Sequence, residues 1–122
     1  MAEKLNIYLA TPVNGRREAT MSEKIKAANS RIEEMKQYLR KWYPDAVFWS
    51  SFDVIPYIGN LTEADIMGEC VKKVMECDMI ILDKLWYDSR GCSVERFVAE
   101  QYNKVVKTMI SFTLKDKLNS DE

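Results

Sequence analysis

A carboxylate at the start of a helix, just behind a buried strand, is the arrangement in this chain best suited to do chemistry. It lies in Asp83-Lys84-Leu85-Trp86-Tyr87-Asp88-Ser89-Arg90-Gly91-Cys92-Ser93-Val94-Glu95. The apolar run Met79-Ile80-Ile81-Leu82 ends in Asp83, Gly91 lets the backbone turn, and Val94, Phe97, Val98 and Tyr102 mark an amphipathic helix over about residues 93–103. This reading puts Glu95 in the first helical turn. A helix N-terminus favours anions and would keep Glu95 ionised and ready to act as a nucleophile. Position alone also fits a glutamate that only complements the helix dipole. In open parallel sheets ligands bind beyond the carboxyl ends of the strands, so Asp83, Ser89 and Glu95 are expected to face one crevice.

Short apolar runs alternating with helical patterns must build the frame for these residues, which predicts β-α-β units and a parallel sheet covered on both sides. Residues 5–10 read as the first strand. Met21, Ile25, Ala28, Ile32, Met35, Leu39 and Trp42 then recur at spacings of four and three, with Thr20 and Glu23 as a capping box and Pro44-Asp45 as the stop. Residues 46–50 form the second strand. A second capped helix starts at Thr62, where Leu61 is placed to staple onto Ile66, and runs through Cys70, Val71 and Val74 to Glu76. Residues 79–82 and 105–112 are the third and fourth strands. A charged tail from about residue 114 is expected to fray or to pack on a partner subunit.

Composition narrows the functional classes. A chain of 122 residues reads as one domain able to build a core without disulfides or metals. With 18 Lys and Arg against 19 Asp and Glu, no global positive field recommends a nucleic-acid polymer as partner. Cys70, Cys77 and Cys92 lack paired spacing, which points to the reducing cytoplasm. There is no histidine, so histidine-based triads and the common zinc sites are excluded, and acid-base work falls to carboxylates, Tyr or Lys. No metal or cofactor is expected. No apolar run approaches the length of a membrane span, and residues 1–4 lack the apolar core of a signal peptide.

Two loops leave strand carboxyl ends with chemistry in them: Thr11-Pro12-Val13-Asn14-Gly15-Arg16-Arg17 and the stretch from Asp83 to Cys92. If the first and third strands are neighbours, the loops face each other, a basic Gly-containing loop opposite carboxylates. That arrangement suits a ligand with a phosphate at one end and a reacting carbon at the other. Adjacent surface arginines are also ordinary solvated charge. No Gly-x-Gly-x-x-Gly or Walker pattern is present.

Ile7-Tyr8-Leu9-Ala10-Thr11-Pro12 resembles the opening strand of the nucleoside 2-deoxyribosyltransferase superfamily, which usually reads Ile-Tyr-Leu-Ala-Gly-Pro. Cys77-Asp78, Ser89-x-Gly91 and Glu95 follow in that family's order, so the resemblance spans about residues 5–106. It implies a flavodoxin-like (Rossmann-like) three-layer α/β sandwich with a mainly parallel sheet of four or five strands. It further implies cleavage of an N-glycosidic bond, with Glu95 matching the nucleophile and Tyr8 the tyrosine that positions it. Ser89 stands where 2'-deoxynucleoside 5'-phosphate N-hydrolases carry Ser and transferases tend to carry Asp, and Asn14-Gly15-Arg16-Arg17 resembles the hydrolases' phosphate loop. The chain also resembles short phage and bacterial domains of unassigned function in which a Trp precedes Ser-x-Gly, as Trp86 does. The implied ligand is a nucleoside or nucleoside 5'-monophosphate, and the implied assembly a homodimer or larger homo-oligomer.

Glycosidic cleavage needs an ionised carboxylate against the sugar and a second group to protonate the leaving base. For the second role Glu69, Asp65 and Asp83 stay open. Asp78, at the start of its strand, reads as structural, and Asp88 either caps the turn at Ser89 or touches substrate. Asn14, Gly15, Arg16, Arg17, Asp83, Ser89 and Gly91 are the expected substrate contacts. The alternatives to hydrolysis are transfer of deoxyribose between bases and a silent nucleotide-binding module. Met21, Met35 and Trp42 read as core, the cysteines as small hydrophobes, and Trp86 and Tyr87 as base-stacking or interface residues.

Overall fold

The computed structural model describes residues 4–12, 21–54 and 62–120. Four strands, β1 (Asn6–Ala10), β2 (Val47–Trp49), β3 (Met79–Leu82) and β4 (Val105–Thr108), pair in the order β2-β1-β3-β4, and every pairing is parallel. The helices are α1 (Met21–Leu39), α2 (Ser51–Val54), α3 (Glu63–Glu76), α4 (Arg90–Gln101) and α5 (Met109–Ser120), with a 3₁₀ turn at Trp86–Asp88. This is the parallel α/β sheet expected from the alternating runs and the flavodoxin-like architecture implied by the resemblance, and β1 and β3 are neighbours as anticipated.

Strand alternation separates the two faces. Ile7, Leu9, Phe48, Met79 and Ile81 point to one side, where Ile32, Met35 and Leu39 of α1 and Met109 and Phe112 of α5 close over them. Tyr8, Ala10, Ile80 and Leu82 point to the other, against Cys70 and Val74 of α3 and Cys92 and Ala99 of α4. Covered on both sides, the two central strands are buried almost throughout, which explains their near-continuous apolar sequence.

Several boundaries differ from the sequence reading, each for a local reason. The helix α1 stops at Leu39, five residues before Pro44, because the N–H groups of Trp42 and Tyr43 both fold back on the Leu39 carbonyl; Trp42 still packs on Phe112, ring centroids 5.5 Å apart. The fourth strand ends at Thr108, and residues 109–120 form α5, not an extended strand and a fraying tail. There the Thr108 carbonyl and hydroxyl take the Ser111 hydroxyl and N–H at 2.7 and 3.3 Å, starting a helix whose Met109 and Phe112 are buried. The Tyr38 hydroxyl ties α5 to α1 through the Asp116 carboxylate. Between α4 and β4, Asn103 takes a left-handed backbone (φ 58°), a conformation Asn tolerates well.

At α3 the expected cap is present, as a reciprocal box between Thr62 and Asp65. The proposed staple residue Leu61 and the α1 cap residue Thr20 lie outside the described residues. Asp78 is structural as anticipated: its Oδ2 accepts the Asn6 N–H at 2.9 Å at the amino end of the sheet.

Candidate active site

The strand order reverses direction between β1 and β3, and beyond the carboxyl ends of these strands lies the natural ligand crevice of such a sheet. The Asp83 N–H reaches the Ala10 carbonyl at 2.9 Å, so the two exits are stitched together. Asp83 is buried and paired with Arg31 of α1, Nε to Oδ2 2.9 Å, while a terminal nitrogen of the same guanidinium donates to the Pro12 carbonyl at 2.7 Å. Arg31 thus clamps the ends of both central strands. Nothing in the sequence reading singled it out, although an Arg between Ala28 and Ile32 on an apolar helix face is a signal that a buried acid stands opposite. Thr11, which stands where the family motif has Gly, places its hydroxyl 3.5 Å from the Met35 sulfur.

The start of α4 is earlier than expected. Ser89 is its N-cap, its Oγ accepting the Cys92 N–H at 3.2 Å, and Arg90 is the first helical residue. Glu95 is therefore the sixth residue of the helix, in its second turn rather than its first. The helix dipole falls off within the first turn, so it does not hold Glu95 ionised. Burial dominates instead. Only 5 % of Glu95 is exposed, and desolvation raises its carboxyl to about 7, opposed in part by the hydrogen bond from Tyr8. Gly91 sits within this first turn with an ordinary negative φ, so it is not the turning point that the sequence reading made it; a methyl there would stand 3.7 Å from Ser89 Oγ.

Tyr8 is 1 % exposed and shares a buried cluster with Cys70, with Glu95 close enough to act on its hydroxyl. Burial, and after it the charge of Glu95, pushes the Tyr8 hydroxyl well above its usual range. Cys92, one turn before Glu95, is pushed up to about 12, chiefly by burial and then by the Glu95 charge; it also feels Asp83 and Arg31, which places the clamp and the carboxylate in one electrostatic neighbourhood. The structure thus brings together Tyr8, Glu95, Ser89, Gly91 and Asp83, and adds Cys70, Cys92 and Arg31. Cys70 and Cys92 carried no signal beyond their fit to apolar stripes.

Glu69 lies on α3 beside Cys70 with half its side chain exposed, paired with Lys72 at 3.7 Å, and Asp65 is engaged in the α3 cap. Neither hydrogen-bonds to Glu95 or Tyr8. Trp86 is half-buried under the Arg96 guanidinium, 4.9 Å from its ring centroid, so that face is not open for base stacking, whereas Tyr87 is exposed. Asn14, Gly15, Arg16 and Arg17 lie outside the described residues, as does the Asp88 side chain. An open hollow on α1, lined by Ile25, Lys26, Asn29, Ser30, Glu33 and Glu34, shares no residue with this constellation. The hollow contains no buried reactive group. Among the described residues no group of His, Cys, Asp and Glu is arranged to hold a metal, and no helix is long and apolar enough to cross a membrane.

A four-stranded parallel sheet with helices on both faces, and a buried glutamate and tyrosine on one of them, defines a flavodoxin-like α/β domain. Over residues 5–108 the sequence matches the model of a domain of unknown function, DUF4406, and the chain belongs to that family. Among solved structures it is similar to a 2-desoxiribosyltransferase from Leishmania mexicana, with a TM-score of 0.54 and 21 % identity over 85 % of this chain. The match covers 63 % of that enzyme, so the likeness is one of fold. No match is found among curated proteins.

Proposed function

We propose that this protein binds a nucleoside or nucleoside 5'-monophosphate and hydrolyses its N-glycosidic bond with Glu95 as nucleophile. The observation that supports this reading is a buried carboxylate held against a buried phenol at the switch point of a deoxyribosyltransferase-like fold. The ionised Glu95 oxygen bonds to the anomeric carbon as the carbon–nitrogen bond breaks, its electron pair leaving on the base, which takes a proton from a general acid. Water then attacks the same carbon, loses a proton to the acid's conjugate base, and frees the glutamate. Glu69 is our choice of acid by elimination, since Asp65 is held in a cap and Asp83 in the Arg31 pair. Ser89 spends one lone pair on its cap and keeps its hydroxyl proton for the sugar or phosphate. Gly91 leaves room beside it, Asp83 acts through Arg31, and Asn14, Gly15, Arg16 and Arg17 grip the phosphate. In our reading the protein works in the cytoplasm as a homo-oligomer, with a second copy covering exposed Leu85, Tyr87, Val94 and Phe97.

Incubation with a panel of deoxynucleosides and their 5'-monophosphates, with and without a second free base, tests this directly. Release of base without an acceptor is expected. Release that requires the acceptor makes the protein a transferase, and saturable binding with no release from any substrate makes it a silent binding module. Replacing Arg16 and Arg17 together with Ala is expected to weaken monophosphate binding far more than nucleoside binding.

A further inference from the structure

Glu95 is 5 % exposed, so a ligand reaches its carboxyl only if something moves. The helix α4 cannot step aside without emptying the core, because Cys92, Glu95 and Ala99 form its buried stripe. The segment that joins β3 to α4 can. Its two ends are fixed: Asp83 is held by Arg31 and by the Ala10 carbonyl, and Ser89 caps α4 through the Cys92 N–H. Among the described residues, the hydrogen bonds of residues 84–88 run only to those ends. The Trp86 N–H donates to the Asp83 carbonyl at 3.1 Å, the Leu85 N–H to Asp83 Oδ1 at 3.4 Å and the Ser89 N–H to the Trp86 carbonyl at 3.0 Å.

Leu85 and Tyr87 are exposed, which leaves Trp86 to tie the segment to the body. Its ring packs on the cluster that contains Tyr8 and Cys92 and lies beneath the Arg96 guanidinium, 4.9 Å from the ring centroid. Glu100, one turn further along α4, braces that guanidinium, Nε to Oε1 3.0 Å. We propose that residues 84–88 are a hinged lid over Glu95, latched by Trp86 beneath Arg96, and that release of this latch admits the ligand. A short segment with internal hydrogen bonds, exposed side chains and one tertiary tie opens more readily than the elements it joins, and residues at element ends serve as its hinges. The identity of the ligand rests on the nucleoside reading above, whereas the lid rests on the geometry alone.

The cysteines report the opening. Cys92, 1 % exposed, lies in the cluster on which Trp86 packs, and Cys77 closes α3 at the amino end of the sheet, far from the lid. The resting full chain is treated with N-ethylmaleimide, and alkylation of each cysteine is followed by mass spectrometry of its peptide. Arg96→Met keeps an aliphatic stem and removes the cation. It is expected to alkylate Cys92 about two- to fivefold faster than wild type, the change that loss of one partly exposed cation–π contact brings, with Cys77 unchanged. Glu100→Gln leaves the guanidinium unbraced and is expected to give a smaller rise in the same direction. All variants are compared at one protein concentration, since a second copy seated on Leu85 and Tyr87 would hold the same segment.

A Cys92 rate equal to wild type in Arg96→Met overturns the proposal, as does an equal rise at Cys77, which reports loosening of the whole fold. If Arg96→Met does not fold, Glu100→Gln decides: a rise at Cys92 without one at Cys77 supports the lid, and no rise overturns it. Amide exchange separates a lid from a fraying helix. Protection of residues 97–101 should stay at the wild-type level, and its loss alongside faster Cys92 labelling overturns the hinge at Ser89. These readings need no ligand. Failure to release base from any substrate therefore defeats the hydrolase reading alone, and an unmoved Cys92 rate defeats the lid alone.

Discussion

The two faces of the sheet are built from the same strands and differ in what they bury. On one, Ile7, Leu9, Met79 and Ile81 meet Leu39, Met35 and Phe112 in hydrocarbon and rings. On the other, a single residue further along β1, Tyr8 meets Cys70, and the same helical layer carries Cys92 and Glu95. Burial on the first face is nearly pure stabilisation. The second face holds a carboxyl away from water at a cost in stability, and such a cost is typical of functional sites. A protein can afford a destabilising carboxylate on one side of a sheet when the other side is closed by well-matched apolar packing.

The sharpest way to break the comparison is Glu95→Gln. On the second face this isosteric change should reduce base release by on the order of 10³-fold or more while leaving binding of the nucleotide largely intact, because the lost interaction belongs to the transition state. Chromatography of free base alongside calorimetric binding checks both parts. Because the reaction uses the ionised form, wild-type turnover should rise with pH through a midpoint near 7.

On the first face, Leu39→Ala empties a fully buried site and should destabilise the fold by about 2 to 5 kcal/mol, with residual activity tracking the folded fraction. Denaturant melts measure this. Loss of turnover in fully folded Leu39→Ala would show that the division of labour between the faces is wrong.

The third prediction turns the carboxylate's cost into a pH dependence. The folded carboxyl is raised from 4.5 to about 7, so between those values the native state holds a proton that the unfolded chain has lost. Its contribution to stability is therefore full below about 4.5 and is lost as pH rises through 7, a change of about 3 kcal/mol. Relative to wild type, Glu95→Gln should be more stable by up to that amount at pH 8 and nearly equal at pH 4.5. Parallel melts at the two pH values would refute this if the gap did not widen with pH.

Smaller effects are expected at the junctions. Arg31→Met leaves Asp83 buried without its partner and should cost about 1 to 3 kcal/mol, discounted because a third of Arg31 is exposed; adding Asp83→Leu should recover part of the loss. Least of all, Tyr38→Phe removes the tie from α1 to Asp116 and should quicken amide exchange in α5 with turnover unchanged. Slowed turnover in this variant would link α5 to the site.

Periodicity alone was enough for the α/β order and the parallel sheet, since strands covered on both faces must be apolar runs and helices between them must be striped, whereas the neighbouring β1 and β3 followed from the usual strand order of doubly wound sheets. It was also enough for the Thr62 cap, because a capping box is local chemistry. Tyr8 and Glu95 as a pair came from their resemblance to a family motif, and spacing in the chain gave no hint that they touch. What the tertiary structure decided was environment. It moved Glu95 to the second turn by letting Ser89 cap the helix early, replaced a dipole that would lower its pKa with a burial that raises it, and set Arg31 against Asp83 across fifty residues of chain. Desolvation and long-range pairing depend on which surfaces close over a residue, and that is a property of the packed fold, not of its neighbours in sequence.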